Sequence, residues 1–249
     1  MAESKLGRAY RVLYETLCGR HPNPMPWHWQ WLPSRLLNRD FKTHLPKLTG
    51  SVLDIGCGQK PYLPLMGSVR EYVGADVVSG PTVDVVFTPN QPLPLPDERF
   101  DAVLITQVME FVDRPHALVA EIRRVLKPNG IVIATFPFIF QEHGPFDLVR
   151  YSGNAVQGVF AGFSPLHVKR QGGVGSSLGI LFLNWLNQSL NLNVVLRLLR
   201  PLFLPIWLPL CLVINLICLV LDACDRTASY YSNVFAMLRK DSDRGGVER

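Results

Sequence analysis

Val52-Leu53-Asp54-Ile55-Gly56-Cys57-Gly58 and, further on, Val73-Gly74-Ala75-Asp76 decide the fold of this chain. An apolar run that breaks into glycines reads as a buried strand entering a tight turn. The missing Cβ atoms let backbone approach a ligand there and present a helix N-terminus to it. Asp76 ends the second apolar run, where a carboxylate can accept hydrogen bonds from both hydroxyls of a ribose. Two cofactor classes fit this much, dinucleotides and S-adenosylmethionine. A dinucleotide fingerprint wants a third glycine where this chain has Pro61, which obstructs the close approach of helix to pyrophosphate.

Around this core, apolar strand patterns alternate with helical or looped segments. Strands are expected at Ser51 to Ile55, Tyr72 to Val78, Val83 to Phe87, Phe100 to Thr106 and Ile131 to Phe136. Pro115 to Leu126 is the clearest helix, with Asp113 as N-cap, Leu118, Ile122 and Leu126 on one face, and Asn129-Gly130 as the stop. This alternation is the signature of a parallel sheet. A helix over Ser152 to Phe160, a strand over Pro165 to Lys169 and a last strand over Tyr230 to Leu238 complete the pattern. Residues 1–49, with the proline-broken segment His21 to Pro33 between two helices, suggest a lid or membrane-facing collar.

Three further stretches separate the two cofactors: Pro94-Leu95-Pro96-Asp97-Glu98-Arg99-Phe100-Asp101, Thr106-Gln107-Val108-Met109-Glu110-Phe111-Val112, and Glu121-Ile122-Arg123-Arg124-Val125-Leu126-Lys127-Pro128-Asn129-Gly130. Together with the glycine turn they resemble the class I S-adenosylmethionine-dependent methyltransferases, over about residues 50 to 170 plus the last strand. The resemblance implies an α/β, Rossmann-like sheet of seven strands whose last strand is antiparallel and inserted beside the fifth. It also implies S-adenosylmethionine as cofactor, with Asp54, Gly56, Gly58, Asp76 and Gln107 at its site. The chain departs from the family pattern at three places. Lys60 stands for the third glycine, within Gly56-Cys57-Gly58-Gln59-Lys60-Pro61-Tyr62. Thr88 to Gln91 lacks the acid that meets the adenine amine, and Phe111 replaces a common His. Glu121 and Arg124 read as a solvated helix face and His116 as a surface residue.

Methyl transfer from a sulfonium is an in-line displacement, so a protein must mainly align acceptor and methyl and, for a hydroxyl, remove a proton. Ligands of open α/β sheets lie beyond the carboxyl ends of the strands. There the chain carries Gln141-Glu142-His143-Gly144-Pro145-Phe146-Asp147-Leu148-Val149-Arg150-Tyr151. This loop resembles that of methyltransferases acting on bacterial surface glycans and lipid-linked sugars, with His143 shifted by one place and Ser152 replacing Thr. His143 is the candidate base, because its ordinary pKa is near 6.5, and Asp147 is a candidate to orient it. Arg150 and Tyr151 are candidates to anchor the acceptor. An alternative reading makes Asp147 and Arg150 a structural ion pair.

From Leu148 to Leu221 no Asp or Glu occurs, while Arg150, Lys169, Arg170, Arg197 and Arg200 do, in a chain of net charge +5. The basic residues are not interleaved with stacking aromatics on a nucleic-acid module, so no nucleic-acid partner is expected and the charge suggests anionic lipid. Leu202 to Leu221 is long enough to span a bilayer. It contains Pro205, Pro209 and Asn215, however, and both its ends must return to one sheet, which leaves a hairpin or an interfacial helix. Asn184, Asn187, Gln188 and Asn191 form a polar stripe on an otherwise apolar helix able to lie flat in the interface. Packing of both helices as an ordinary core, or against a second subunit, is the competing reading. Five cysteines without CxxC or metal spacing predict neither a disulfide framework nor a metal site and suit a reducing cytosol.

The expected organisation is an N-terminal helical lid or collar over 1–49, a methyltransferase domain over 50–172 and 228–240, a hydrophobic membrane-associating insertion over 173–227, and a disordered tail over 241–249. The expected function is a methyltransferase at the cytoplasmic face of a membrane, peripheral or monotopic, acting on a glycan or lipid-linked sugar. A quinone or other prenylated ring, a non-catalytic membrane scaffold and, more distantly, a dinucleotide oxidoreductase are the alternatives. Self-association is left open.

Overall fold

The computed structural model describes residues 5–192 and 194–242. Most of the expected tail lies outside the described residues. The chain divides into two compact units, one made of residues up to Arg39, Ile139–Gln141 and Gln171–Asn233, the other of Asp40–Phe138, Glu142–Arg170 and the chain from Val234 on.

The second unit is built on a seven-stranded sheet of order β3-β2-β1-β4-β5-β7-β6. Its strands are β1 (Gly50–Ile55), β2 (Val69–Asp76), β3 (Val85–Val86), β4 (Phe100–Thr106), β5 (Leu126–Pro137), β6 (Phe163–Gln171) and β7 (Asn233–Lys240). The pairs β1–β2, β1–β4, β2–β3 and β4–β5 are parallel. β7 runs antiparallel to β6: the Ser232 N–H at its start donates to Gln171 O at the end of β6, and Asp241 N–H just past its end donates to Gly162 O. The expected antiparallel last strand beside the fifth is present. Val52, Leu53, Ile55, Leu104, Ile105, Ile133 and Phe136 are fully buried, as expected where near-continuous apolar strands are covered on both faces.

Three local expectations fail. Helix α3 (Pro115–Val125) has Arg114, not Asp113, at its N-cap, with no side-chain cap, and Asp113 instead accepts a hydrogen bond from Asn90 Nδ2 at 3.2 Å. The helix ends one turn before Asn129-Gly130. β5 begins at Leu126, and Asn129, at φ 61°, sits inside it where the β4–β5 register shifts. Nor is Arg124 part of a solvated face. Its guanidinium donates to Leu93 O and Leu95 O and pairs with Asp97 and Glu121, while Glu121 accepts from Leu93 N–H, so the pair clamps the loop that feeds β4.

The expected helix over Ser152 to Phe160 is the short α4 (Ala155–Val159) of the sheet unit. The other unit is helical: α1 (Lys5–Cys18), the start of α2 (Trp31–His44), α5 (Val174–Leu192) and α6 (Val194–Cys224). α5 and α6 form a hairpin. A Cβ on Gly175 would stand 2.0 Å from Cys218 O, and one on Gly179 2.6 Å from Cys218 Sγ, so glycine is what lets the two helices touch. Asp222 accepts from Ser176 N–H (2.8 Å) and its hydroxyl, and Asp225 from Val174 N–H (2.9 Å), which satisfies the open donors of the first turn of α5. All five cysteines are free.

Candidate active site

The turn after β1 is held from two sides. Gly56 (φ 72°) donates its N–H to Ala75 O at 2.8 Å, and a Cβ there would meet Val108 Cγ2 at 2.3 Å. Gly58 (φ 48°) has nothing within 4 Å of where its Cβ would stand, so it faces open space. Asp76 spans the turn, accepting Gly58 N–H at 3.1 Å and Val78 N–H at 3.2 Å.

Beneath the turn lies a polar network that includes the Lys60 substitution. Lys60 (φ 50°) reaches Asp84 Oδ2 at 2.5 Å, and the same oxygen accepts Gly74 N–H at 2.7 Å. Its ammonium lies 5.5 Å from the centre of the Tyr72 ring. A Cβ on Gly74 would stand 2.4 Å from Lys60 Cε, so that glycine makes room for the lysine stem. The Tyr72 hydroxyl donates to Asp54 Oδ2, while Asp54 Oδ1 is buried without a protein partner. Burial pushes the Asp54 carboxyl up to about 7, against the opposing pull of Tyr72 and Lys60. Gln107 (φ 53°) is pinned at the exit of β4, its N–H donating to Thr135 O at 3.0 Å and its Nε2 to Thr135 Oγ1 at 3.1 Å.

The loop after β5 supplies the second half of the site. Asp147, whose side chain is fully buried, takes both Arg150 nitrogens in a bidentate pair and also accepts His143 N–H at 2.8 Å. The His143 ring nitrogen Nδ1 lies 3.8 Å from Asp147 Oδ2, beyond hydrogen-bond reach. Asp147 therefore fixes the His143 backbone and Arg150, and the exposed imidazole is not hydrogen-bonded to it. Partial desolvation holds the imidazole below its ordinary pKa, outweighing the opposite effect of Asp147. Tyr151 is buried, its ring edge-on to Phe136 at 5.5 Å, and its hydroxyl is held above its usual range by burial and by the nearby charge of Glu110.

Glu110 is the functional candidate that the sequence reading passed over. It sits in a single 3-10 turn (Met109–Phe111) after β4, 2% exposed, with Oε2 buried and unpartnered. Its backbone oxygen accepts Leu148 N–H at 2.8 Å, joining this turn to the loop after β5. Burial pushes its carboxyl up to about 7, with Arg150 pulling it down and Asp147 pushing it up. A lone acid in the apolar run Val108-Met109-Glu110-Phe111-Val112 was the available signal. Around it Phe111, Phe146 and Leu148 are exposed, giving the loop an apolar rim.

Residues 53–134 match the family model described as "Methyltransferase domain". Over this segment the chain is similar to methyltransferase domains. An uncharacterized protein of Methanocaldococcus jannaschii is 33% identical over 95 residues, 37% of this chain and 46% of that protein. A ubiquinone biosynthesis O-methyltransferase of Cereibacter sphaeroides is 34% identical over 112 residues, 39% of this chain and 45% of that protein. The match thus spans under half the length of these relatives. The fold extends further: the cyclase SpnF superposes with TM-score 0.54 at 19% identity, covering 97% of both chains. A SAM-dependent methyltransferase from Archaeoglobus fulgidus superposes with TM-score 0.51 at 16% identity, covering 93% of this chain and 99% of that one. That a cyclase shares the fold is a reminder that chemistry is set by the site.

The resemblance implies S-adenosylmethionine as cofactor, and the geometry around the turn after β1 fits it. Open space stands over Gly58, Asp76 spans the turn, and Asp54 keeps a buried oxygen without a protein partner among the described residues.

Proposed function

We propose that this protein is an S-adenosylmethionine-dependent methyltransferase that works at a membrane surface on a hydroxyl of a glycan or lipid-linked sugar. The observation that carries the reading is the hydrogen bond from Leu148 N–H to Glu110 O, which ties the ionisable acceptor loop to the turn that follows the cofactor strand. When bound, the cofactor supplies an electrophilic methyl group on sulfur. Asp76 is assigned to the ribose, the Gly56–Gly58 turn and Asp54 to the methionine end, and Gln107 to closing the site. The Asp147–Arg150 pair holds the loop in shape, His143 is the exposed base and Tyr151 forms part of the wall. The apolar rim of Phe111, Phe146 and Leu148 suits an acceptor carried on a lipid.

A second reading takes the acceptor to be a quinone or another prenylated ring. The named Cereibacter sphaeroides relative and the same apolar rim support it. Titration calorimetry with S-adenosylhomocysteine tests both. Micromolar binding that Asp76→Ala abolishes supports the donor site, and the mass of products from fed acceptors then separates sugar from ring. Absence of binding by the folded protein would favour a non-catalytic membrane scaffold.

A further inference from the structure

The helical unit exposes apolar side chains over much of its longest helix. On α6 the buried positions are Leu204, Trp207, Cys211, Asn215 and Cys218, a single narrow seam at helical spacing. The rest of the helix is almost wholly apolar, yet Leu202, Ile206, Val213, Ile217 and Val220 are each more than half exposed. On α5 Trp185 is 61% exposed, whereas Asn184 is 1% exposed.

Several polar groups of the hairpin are used internally. Asn215 Nδ2 donates to Pro26 O at 2.7 Å and His28 O at 3.1 Å, and Asn187 and Asn191 each accept from Arg200 at 2.5 Å. An outer face this apolar is the reverse of what water selects, and a patch this extended marks a docking face.

Charge and backbone chemistry indicate the occupant. Arg150 pairs with Asp147 and Lys169 with Asp40, so these two cations of the acid-free stretch are already compensated. Arg200 differs. Its guanidinium is held by two neutral amide oxygens and stands 5.0 Å from the centre of the Tyr10 ring, with no carboxylate partner among the described residues. It is a fixed positive charge on an apolar surface.

Close by, Pro201, Pro205 and Pro209 lie inside α6 four residues apart. Each lacks the N–H that would bond the carbonyl four residues back. Carbonyls deprived of that donor are satisfied by water, headgroups, neighbouring helices or local adjustment of the helix, so the three prolines are compatible with a helix lying at headgroup depth.

We propose that the α5–α6 hairpin lies in the headgroup region of a phospholipid membrane, its outer face in the acyl boundary, and that Arg200 binds a lipid phosphate. The proposal deepens the surface location given above and does not depend on methyl transfer.

Co-sedimentation of the full chain with vesicles of phosphatidylcholine, alone or mixed with phosphatidylglycerol, tests it. Binding is expected to both and tighter to the mixed vesicles. Arg200→Gln should remove about fivefold of the affinity for mixed vesicles, the effect of one cation near the surface, and little for the neutral ones. Arg200→Lys should retain most of it. Ile206→Ser with Val213→Ser should weaken binding to both. Circular dichroism identifies variants that misfold, and brominated lipid should quench fluorescence that Trp185→Phe removes. Failure of the folded protein to bind either vesicle would overturn the proposal. So would a stable homodimer that Ile206→Ser dissociates and that ignores lipid. S-adenosylhomocysteine titration of the same samples reads the donor site separately.

Discussion

Gly56 and Gly58 are two residues apart and both have positive φ, yet alanine should fail at each for a different reason. At either position a left-handed backbone with a Cβ costs ~1–2 kcal/mol. At Gly58 that is the whole stability cost, because nothing stands within 4 Å of the new methyl. At Gly56 the methyl meets Val108 Cγ2 at 2.3 Å. Val108 is β-branched and cannot swing away freely, so an overpacking cost of ~1–3 kcal/mol adds and the total is ~2–5 kcal/mol.

Urea denaturation should therefore rank Gly56→Ala below Gly58→Ala, and Val108→Ala should recover the steric part in the double variant, leaving only the backbone strain. S-adenosylhomocysteine titration should give the opposite emphasis. Gly58→Ala places its methyl in the space assigned to the cofactor, and a loss of at least about tenfold, or ~1.4 kcal/mol, is expected. If Gly58→Ala binds as tightly as the unchanged protein, the space over Gly58 is not the cofactor's. If Val108→Ala restores nothing to Gly56→Ala, the contact geometry of the turn is wrong.

Glu110 is raised from 4.5 to about 7, so the folded state holds its proton more tightly than the unfolded state. That favours folding below about pH 4.5 and is lost as pH rises to about 7, an upper bound of ~3 kcal/mol. Glu110→Gln should become more stable relative to the parent across that interval, and an offset in denaturation midpoints that stays flat with pH would contradict the assignment. Tyr72→Phe removes the only hydrogen bond that the described residues give to the buried Asp54 carboxyl. It should cost ~1–3 kcal/mol in thermal unfolding and weaken cofactor-analogue binding. Asn215→Leu breaks two bonds to the 26–28 segment. A loss of ~2 kcal/mol, with faster amide exchange confined to that segment, is expected.

The strands and their parallel run could be read from the chain because buried parallel strands are continuous apolar runs alternating with helical or looped segments, whereas the antiparallel last strand beside the fifth followed only from the family resemblance. The boundaries were harder. Asp113 looks like an N-cap, but Asn90, distant in sequence, takes its carboxylate. Asn129-Gly130 looks like a helix stop, but the helix yields earlier to the pairing of β5 with β4. Gly56, Gly58, Asp76 and Gln107 stand in the glycine turn and at strand ends, as the sequence placed them. Glu110 could not be recognised by type, since its significance lies in an environment that emerges only when Leu148 is brought against its backbone. The polar stripe of α5 was visible from its spacing, but whether it would face in or out depended on Arg200, which lies across the hairpin.

Ser232 donates both its backbone N–H, at 2.9 Å, and its hydroxyl, at 3.2 Å, to Gln171 O, so the point where the hairpin leaves the sheet strands and the point where it returns are one closed junction. Once a junction is closed, the entropy of the loop beyond it grows only with the logarithm of its length. Turns can be added to or removed from α5 and α6 without stretching β6 or β7. In such a protein, anchorage and catalysis are free to evolve at separate rates. On the functions proposed above, a lineage facing a different lipid can rebuild the hairpin while the sheet stays as it was.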